Sequence, residues 1–307
     1  MSLLRQGLED YLSVRRSLGF KLERASRLLP DFIAFMEREG ATTITTVLAL
    51  AWATNTMESV NWRAVRLDIV RGFARYLQAV DPKTEVPPAG LLPRRNDRAM
   101  PYIYTDAEIA ALMAAAQTLR PHIRPATYAT LIGLLAVTGM RVGEAIHLDR
   151  EDVDPEHGVL VVWSTKFGKS REVALHPSTV AALETYSLRR DEFIPHPISP
   201  SFFVSRAGTR LIRNNVEFTY SYLIRQAGIQ RASRRCRPRL HDFRHTFAVR
   251  TVLDWYREGA DVAARLPLLS TYLGHVDPIS TYWYLSATPE LLALASERLQ
   301  HGLGELR

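Results

Sequence analysis

Cysteine is nearly absent. Cys236 is the only one in 307 residues, which excludes an internal disulfide and a zinc site built on cysteine, and fits a reducing compartment. Long apolar runs are also missing: the most apolar stretch, Tyr128 to Met140, is too short to span a bilayer and reads as a buried helix. The opening M-S-L-L-R-Q-G-L-E-D-Y-L carries acidic residues where a secretory signal needs an unbroken apolar core, so the expected location is cytoplasmic, with no membrane partner. Neither an internal repeat nor a low-complexity tract is evident. The metal-protease pattern H-E-x-x-H is lacking as well. His241 and His245 are four apart, but no glutamate follows the first, and the charge of the intervening Arg244 would repel a cation.

What remains is an ordinary globular composition, 47% hydrophobic and 23% charged, in a chain long enough for two compact domains. A formal charge of +7 and a pI near 9.7 favour a polyanionic partner without identifying it.

Leu4, Leu8, Tyr11 and Leu12 have the spacing of one helix face, and a second stripe at Leu29, Phe32, Ile33 and Met36 is interrupted by Pro30, which should kink that helix or mark its start. Gly40 should stop it. A short helix is expected over 47–52 and a longer one over 57–80, with Arg71 and Arg75 opposite its apolar side. Those arginines are either a solvated face or, with Arg15, Arg16, Lys21, Arg24 and Arg27, a surface for a nucleic-acid backbone. Six prolines and glycines between Pro82 and Pro101 make the best linker in the chain, and Arg94, Arg95 and Arg98 within it could follow a phosphate backbone. The expected division is therefore a helical domain over 1–82, a proline-rich basic linker over 83–104 and a second domain over 105–307.

The second domain opens with T-D-A-E at Thr105, a capping box with Glu108. An apolar helix over about 125–137 ends at Thr138-Gly139 and is followed by a short helix starting at Arg141. Placed against the helix dipole, that arginine is held for another partner. Val159 to Trp163 and Glu172 to Leu175 are β-rich runs joined by S-T-K-F-G-K-S-R, a hairpin whose tip is expected to carry Lys166, Lys169 and Arg171. A helix after Pro177, a short strand near Phe202 to Val204 and a helix over 214–227 lead to five arginines in nine residues, Arg231 to Arg239. That basic run points to phosphate contact. The fold class is mainly α with one small antiparallel β-sheet.

Next come R-L-H-D-F-R-H, L-G-H and, nine residues after the last histidine, a tyrosine in T-Y-W-Y-L. Covalent cleavage of a phosphodiester needs a hydroxyl nucleophile, fixed positive charge on the non-bridging oxygens and an acid for the departing oxygen. Arginine suits the second task because it stays protonated and presents a planar fork. Arg141 and Arg244 could form that pair, and His241, three residues before Arg244, would face the same phosphate.

T-G-M-R-V-G-E around Arg141, K-F-G-K-S-R, H-D-F-R-H-T-F-A, L-G-H at His275 and Tyr284 occur in this order over about 145 residues. Together they resemble the tyrosine recombinases of the phage-integrase family. The resemblance implies a helical core-binding domain followed by an α+β catalytic domain. It implies that Tyr284 attacks the scissile phosphate to give a 3′-phosphotyrosyl enzyme, that Arg141 and Arg244 clamp it, and that His241 and His275 donate hydrogen bonds. Lys166 would protonate the leaving 5′-oxygen, with Lys169 as a rival because Phe167 separates Lys166 from Gly168. Tyr282 is a rival to Tyr284, two residues short of the usual interval, and Glu144 would support the site without touching phosphate. No cofactor, metal or ATP is implied.

The implied partners are double-stranded DNA with an inverted-repeat core site and further copies of this chain, a dimer per site and a tetramer in synapsis, with accessory recombinases or DNA-bending proteins open. After Tyr284 an apolar stripe at Leu292, Ala295 and Leu299 reads as a helix that packs on its own domain or docks on a neighbouring subunit. A type IB topoisomerase shares this chemistry, and a DNA-binding regulator of the same fold is a further alternative. The N-terminal module and tail favour recombination; the full set of reactive side chains argues against a regulator. Integration, excision, transposition and resolution are not distinguished.

Overall fold

A computed structural model describes residues 3–94, 100–121, 123–163, 170–233 and 235–274. Lys166, Lys169, His275, Tyr282, Tyr284 and the segment after them lie outside the described residues. The chain forms two compact units, Met1–Arg98 and Ala99–Arg307.

The first unit packs four helices, α1 (Leu3–Ser17), α2 (Glu23–Arg38), α3 (Thr46–Thr54) and α4 (Val60–Leu77). Leu4, Leu8 and Tyr11 form the buried face of α1, as their spacing predicts. Pro30 lies inside α2, which begins seven residues earlier and runs through it; proline forfeits one backbone bond there but does not stop the helix. The stop comes at Gly40, whose φ of 65° disfavours any residue with a Cβ. Thr45 and Ser59 cap α3 and α4 by accepting from the N–H groups of Leu48 and Trp62. Phe32, Met36, Trp52 and Phe73 fill the core, and Phe32 meets Trp52 edge to face at 5.2 Å.

Arg71 belongs to the structure of this unit. Its side chain donates to the carbonyls of Pro87 and Pro88 at 2.7 and 2.8 Å and pairs with Asp68. The bonds tie α4 to the proline-rich stretch, much of which is folded onto the unit: Thr84 is buried, Val86 and Leu92 pack on its core, and Glu85 donates its N–H to the Ile44 carbonyl.

The second unit contains α5 (Asp106–Ala116), α6 (Ile123–Thr138), α7 (Val142–His147), a three-stranded antiparallel sheet, α8 (Pro177–Phe193), α9 (Arg213–Gln226), α10 (Asp242–Arg257) and α11 (Val262–Leu273). The capping box of Thr105 and Glu108 is present at α5. The stretch from Tyr128 supplies much of α6, packed within this unit's core, and among the described residues no helix is long and apolar enough to cross a membrane. Strands β1 (Val153–Asp154), β2 (Val159–Trp163) and β3 (Ser170–Ala174) pair in that order. Leu160, Val162 and Val173 point into the core, the alternation of a half-buried sheet.

Two expectations change. Arg171, expected at the hairpin tip, lies inside β3 opposite Val162. The strand expected near Phe202 to Val204 is replaced by two isolated bridges, Asp149 with Ser201 and Val204 with Arg210. Phe202 and Phe203 are both buried, so this run lacks the in-out alternation that a ladder with one solvated face imposes.

Candidate active site

The site begins where α6 ends. Gly139 turns the chain with a φ of 60°, and a Cβ there would stand 2.6 Å from the Phe247 ring on α10. This turn brings Arg141 to the start of α7 as its N-cap residue. An arginine cannot cap a helix by accepting hydrogen bonds, and Glu144 takes over: its carboxylate accepts from the Arg141 backbone N–H at 2.8 Å and from its Nη1 at 2.7 Å. The same carboxylate accepts from Nη1 and Nη2 of Arg171 on β3 at 3.2 and 2.7 Å. Burial works against the charged form of Glu144, but hydrogen bonds and charge from Arg171 and Arg141 outweigh it and hold the carboxyl at about 2.

Arg141 and Arg244 converge on one piece of backbone. Arg141 Nη2 donates to the Gly274 carbonyl at 3.1 Å, and Arg244 Nη2 donates to the carbonyl of the preceding residue, Leu273. Arg244 Nη1 also donates to the Gly139 carbonyl at 3.1 Å. A guanidinium can be buried only if its donors are used, and Arg244 is 1% exposed. The Arg141 side chain keeps 42% of its surface open. The two arginines thus join the end of α6, the start of α10 and the end of α11, and the next residue after Gly274 is His275.

His241 is the N-cap residue of α10 and makes an edge-to-face contact with His245 at 4.8 Å. Crowding by protein, then the charges of Arg244, Arg141, Arg239 and Arg213, push its imidazole down to about 4, although the residue is exposed at the surface. It is therefore neutral near pH 7 and surrounded by positive charge. Asp242, fully buried, accepts three hydrogen bonds from Arg239, through its backbone N at 2.9 Å, Nε at 3.1 Å and Nη2 at 2.8 Å. Burial nevertheless pushes the Asp242 carboxyl above its usual range. Of the basic run, Arg239 is thus pinned by a carboxylate, while Arg231, Arg235 and Arg237 are exposed.

Among the described residues no three histidine, cysteine, aspartate or glutamate side chains gather at metal-binding range. Of the six residues expected to carry the chemistry, the structure brings together Arg141, His241 and Arg244; Lys166, His275 and Tyr284 fall outside the described residues. Sequence reasoning missed two partners of this group. One is Arg171, placed on a loop when it faces Glu144. The other is the set of carbonyls at Gly139, Leu273 and Gly274, for which the glycines in T-G-M-R and L-G-H were the available signal.

Residues 103–290 match the phage integrase family, and the chain belongs to that family. It is 46% identical to a putative integrase/recombinase, y4rB, of Sinorhizobium fredii, over 98% of both chains. It is 29% identical to the tyrosine recombinase XerD of Caulobacter vibrioides, over 75% of this chain and 72% of the relative. In fold it is similar to a lambda integrase dimer bound to a COC′ core site, with a TM-score of 0.61 and 18% identity over 94% of this chain and 97% of that one. The fold is that of the tyrosine recombinases.

Proposed function

We propose that the protein is a site-specific DNA recombinase that cleaves and rejoins strands through a 3′-phosphotyrosyl intermediate. The Tyr284 hydroxyl attacks the scissile phosphorus and loses its proton. The bond from phosphorus to the 5′-oxygen breaks, and Lys166 protonates that oxygen, leaving a free 5′-hydroxyl. Arg141 and Arg244 stabilise the charge that develops on the non-bridging oxygens, with hydrogen bonds from His241 and His275. Because one phosphodiester is exchanged for another of similar energy, the reaction calls for neither ATP nor a metal.

The observation that carries this reading is the convergence of Arg141 and Arg244, distant in sequence, on the consecutive carbonyls of Leu273 and Gly274 at the threshold of His275. A neutral His241 supports it, since an imidazole held neutral by surrounding arginines donates one hydrogen bond without adding to their mutual repulsion. Family membership and the DNA-bound dimer of lambda integrase support double-stranded DNA as substrate and copies of this chain as partners.

The test uses duplexes with paired inverted repeats from DNA flanking the gene, nicked so that the cleaved fragment diffuses away. The wild-type protein should form an SDS-stable adduct and Tyr284→Phe should form none. An adduct with Tyr284→Phe, or none with the wild type on any such duplex, contradicts the mechanism. Joined products from two duplexes separate recombination from simple relaxation.

A further inference from the structure

Arg171, Glu144, Arg141 and Gly274 close a ring. Arg171 on β3 holds both oxygens of Glu144; Glu144 holds the side chain and backbone of Arg141; Arg141 donates to the Gly274 carbonyl. Gly274 lies against Arg171, where a Cβ would stand 2.9 Å from its Nη1. The ring therefore joins the hairpin, the start of α7 and the end of α11.

Glu144 does not need Arg171 for its own hydrogen bonds. As the third residue of α7 it already accepts from the backbone and side chain of Arg141, and a carboxylate in the first turn is favoured by the helix dipole. What Glu144 alone would do is neutralise the arginine it orients. One carboxylate against one guanidinium leaves no net charge for a phosphate. Two guanidinium groups on one carboxylate leave a net charge of about +1. The positions of the two arginines decide where that charge is available: the Arg171 side chain is 13% exposed, and that of Arg141 is 42% exposed. Holding Arg171 in place also leaves its Nε–H buried with no hydrogen-bond partner among the described residues.

We propose that Arg171 is a positioning residue of the phosphate clamp: by sharing the charge of Glu144 it lets that carboxylate aim Arg141 while leaving Arg141 able to bind a phosphodiester. This rests on Arg141 contacting the scissile phosphate in the proposed reaction.

The test measures single-turnover adduct formation on the nicked duplex, DNA affinity and Tm for the wild type, Arg171→Gln, Arg171→Lys, and Arg171→Gln combined with Glu144→Gln. Arg171→Gln should slow adduct formation about 10-fold or more, the range seen when a partner one step removed from a reacting group is removed, with DNA affinity within about 2-fold because most phosphate contacts lie elsewhere. Adding Glu144→Gln should restore part of the rate, since the neutralising carboxylate is gone. Arg171→Lys, which keeps the charge, should stay closer to wild type than Arg171→Gln.

A double variant no faster than Arg171→Gln, or Arg171→Lys as slow as Arg171→Gln at matched Tm, assigns Arg171 to the fold and overturns the proposal. So does an Arg171→Gln rate equal to wild type. If the wild type itself forms no adduct, the proposed reaction has failed, an outcome distinct from an active wild type with unresponsive variants.

Discussion

His241 shows how burial and a cluster of arginines act together on one ring. Crowding by protein, and then the charges of Arg244, Arg141, Arg239 and Arg213, push its imidazole down to about 4 from an ordinary value near 6.5. Between those two values the unfolded chain binds a proton that the folded chain refuses, so stability falls as pH drops through that window and this contribution levels off below about 4. Tm measured against pH should therefore fall less steeply below pH 6.5 in His241→Asn than in the wild type, and identical slopes would show that folding does not hold this ring neutral. At the same scale, Arg141, His241 and Arg244 were legible because side chains with distinctive chemistry recur at defined spacings. Their backbone partners were not, since the Leu273 carbonyl is chemically the same as any other until the fold places Arg244 against it.

At the scale of elements, turns decide whether these side chains meet. Gly139 combines a left-handed backbone with a Cβ position 2.6 Å from Phe247, and its carbonyl accepts from buried Arg244. Gly139→Ala should cost about 2–4 kcal/mol, from about 1–2 kcal/mol for the left-handed backbone and a similar amount for overpacking. Denaturant unfolding would measure it; an unchanged midpoint would mean that the turn relaxes freely. The helices were legible from apolar spacing, and Thr105 with Glu108 marked a boundary because a capping box has its own sequence pattern. The hairpin was legible as a pair of strands but not in its register, so Arg171 was assigned to the tip. Only pairing of Arg171 with Val162 shows that it faces Glu144. Phe202 and Phe203 look like a strand because buried aromatics suit one, yet nothing in the run itself shows whether a partner strand lies alongside.

For the whole molecule, a net charge of +7 predicts binding that is strongly salt dependent, with Arg235 and Arg237 exposed ahead of the site. A protein neutralising 6–10 phosphates loses about 10³–10⁵ in affinity between 50 and 200 mM salt. Replacing Arg235 and Arg237 by glutamine should reduce the slope of log affinity against log salt by about 1 for each phosphate these side chains neutralise. An unchanged slope would place the basic run away from DNA. Arg71→Gln should instead lower the Tm and leave that slope alone, because its guanidinium is committed to Pro87, Pro88 and Asp68. Charge alone therefore did not separate solvent-exposed arginines from those that hold the fold; the difference lies in which acceptors the folded chain supplies.

The most direct measurement is the chemical identity of the protein–DNA linkage. Protease digestion of the adduct followed by mass spectrometry should find a nucleotide joined through its 3′-phosphate to Tyr284 in the peptide T-Y-W-Y-L. A linkage at Tyr282, a 5′-phosphate linkage, or hydrolysed ends with no joined peptide would contradict it.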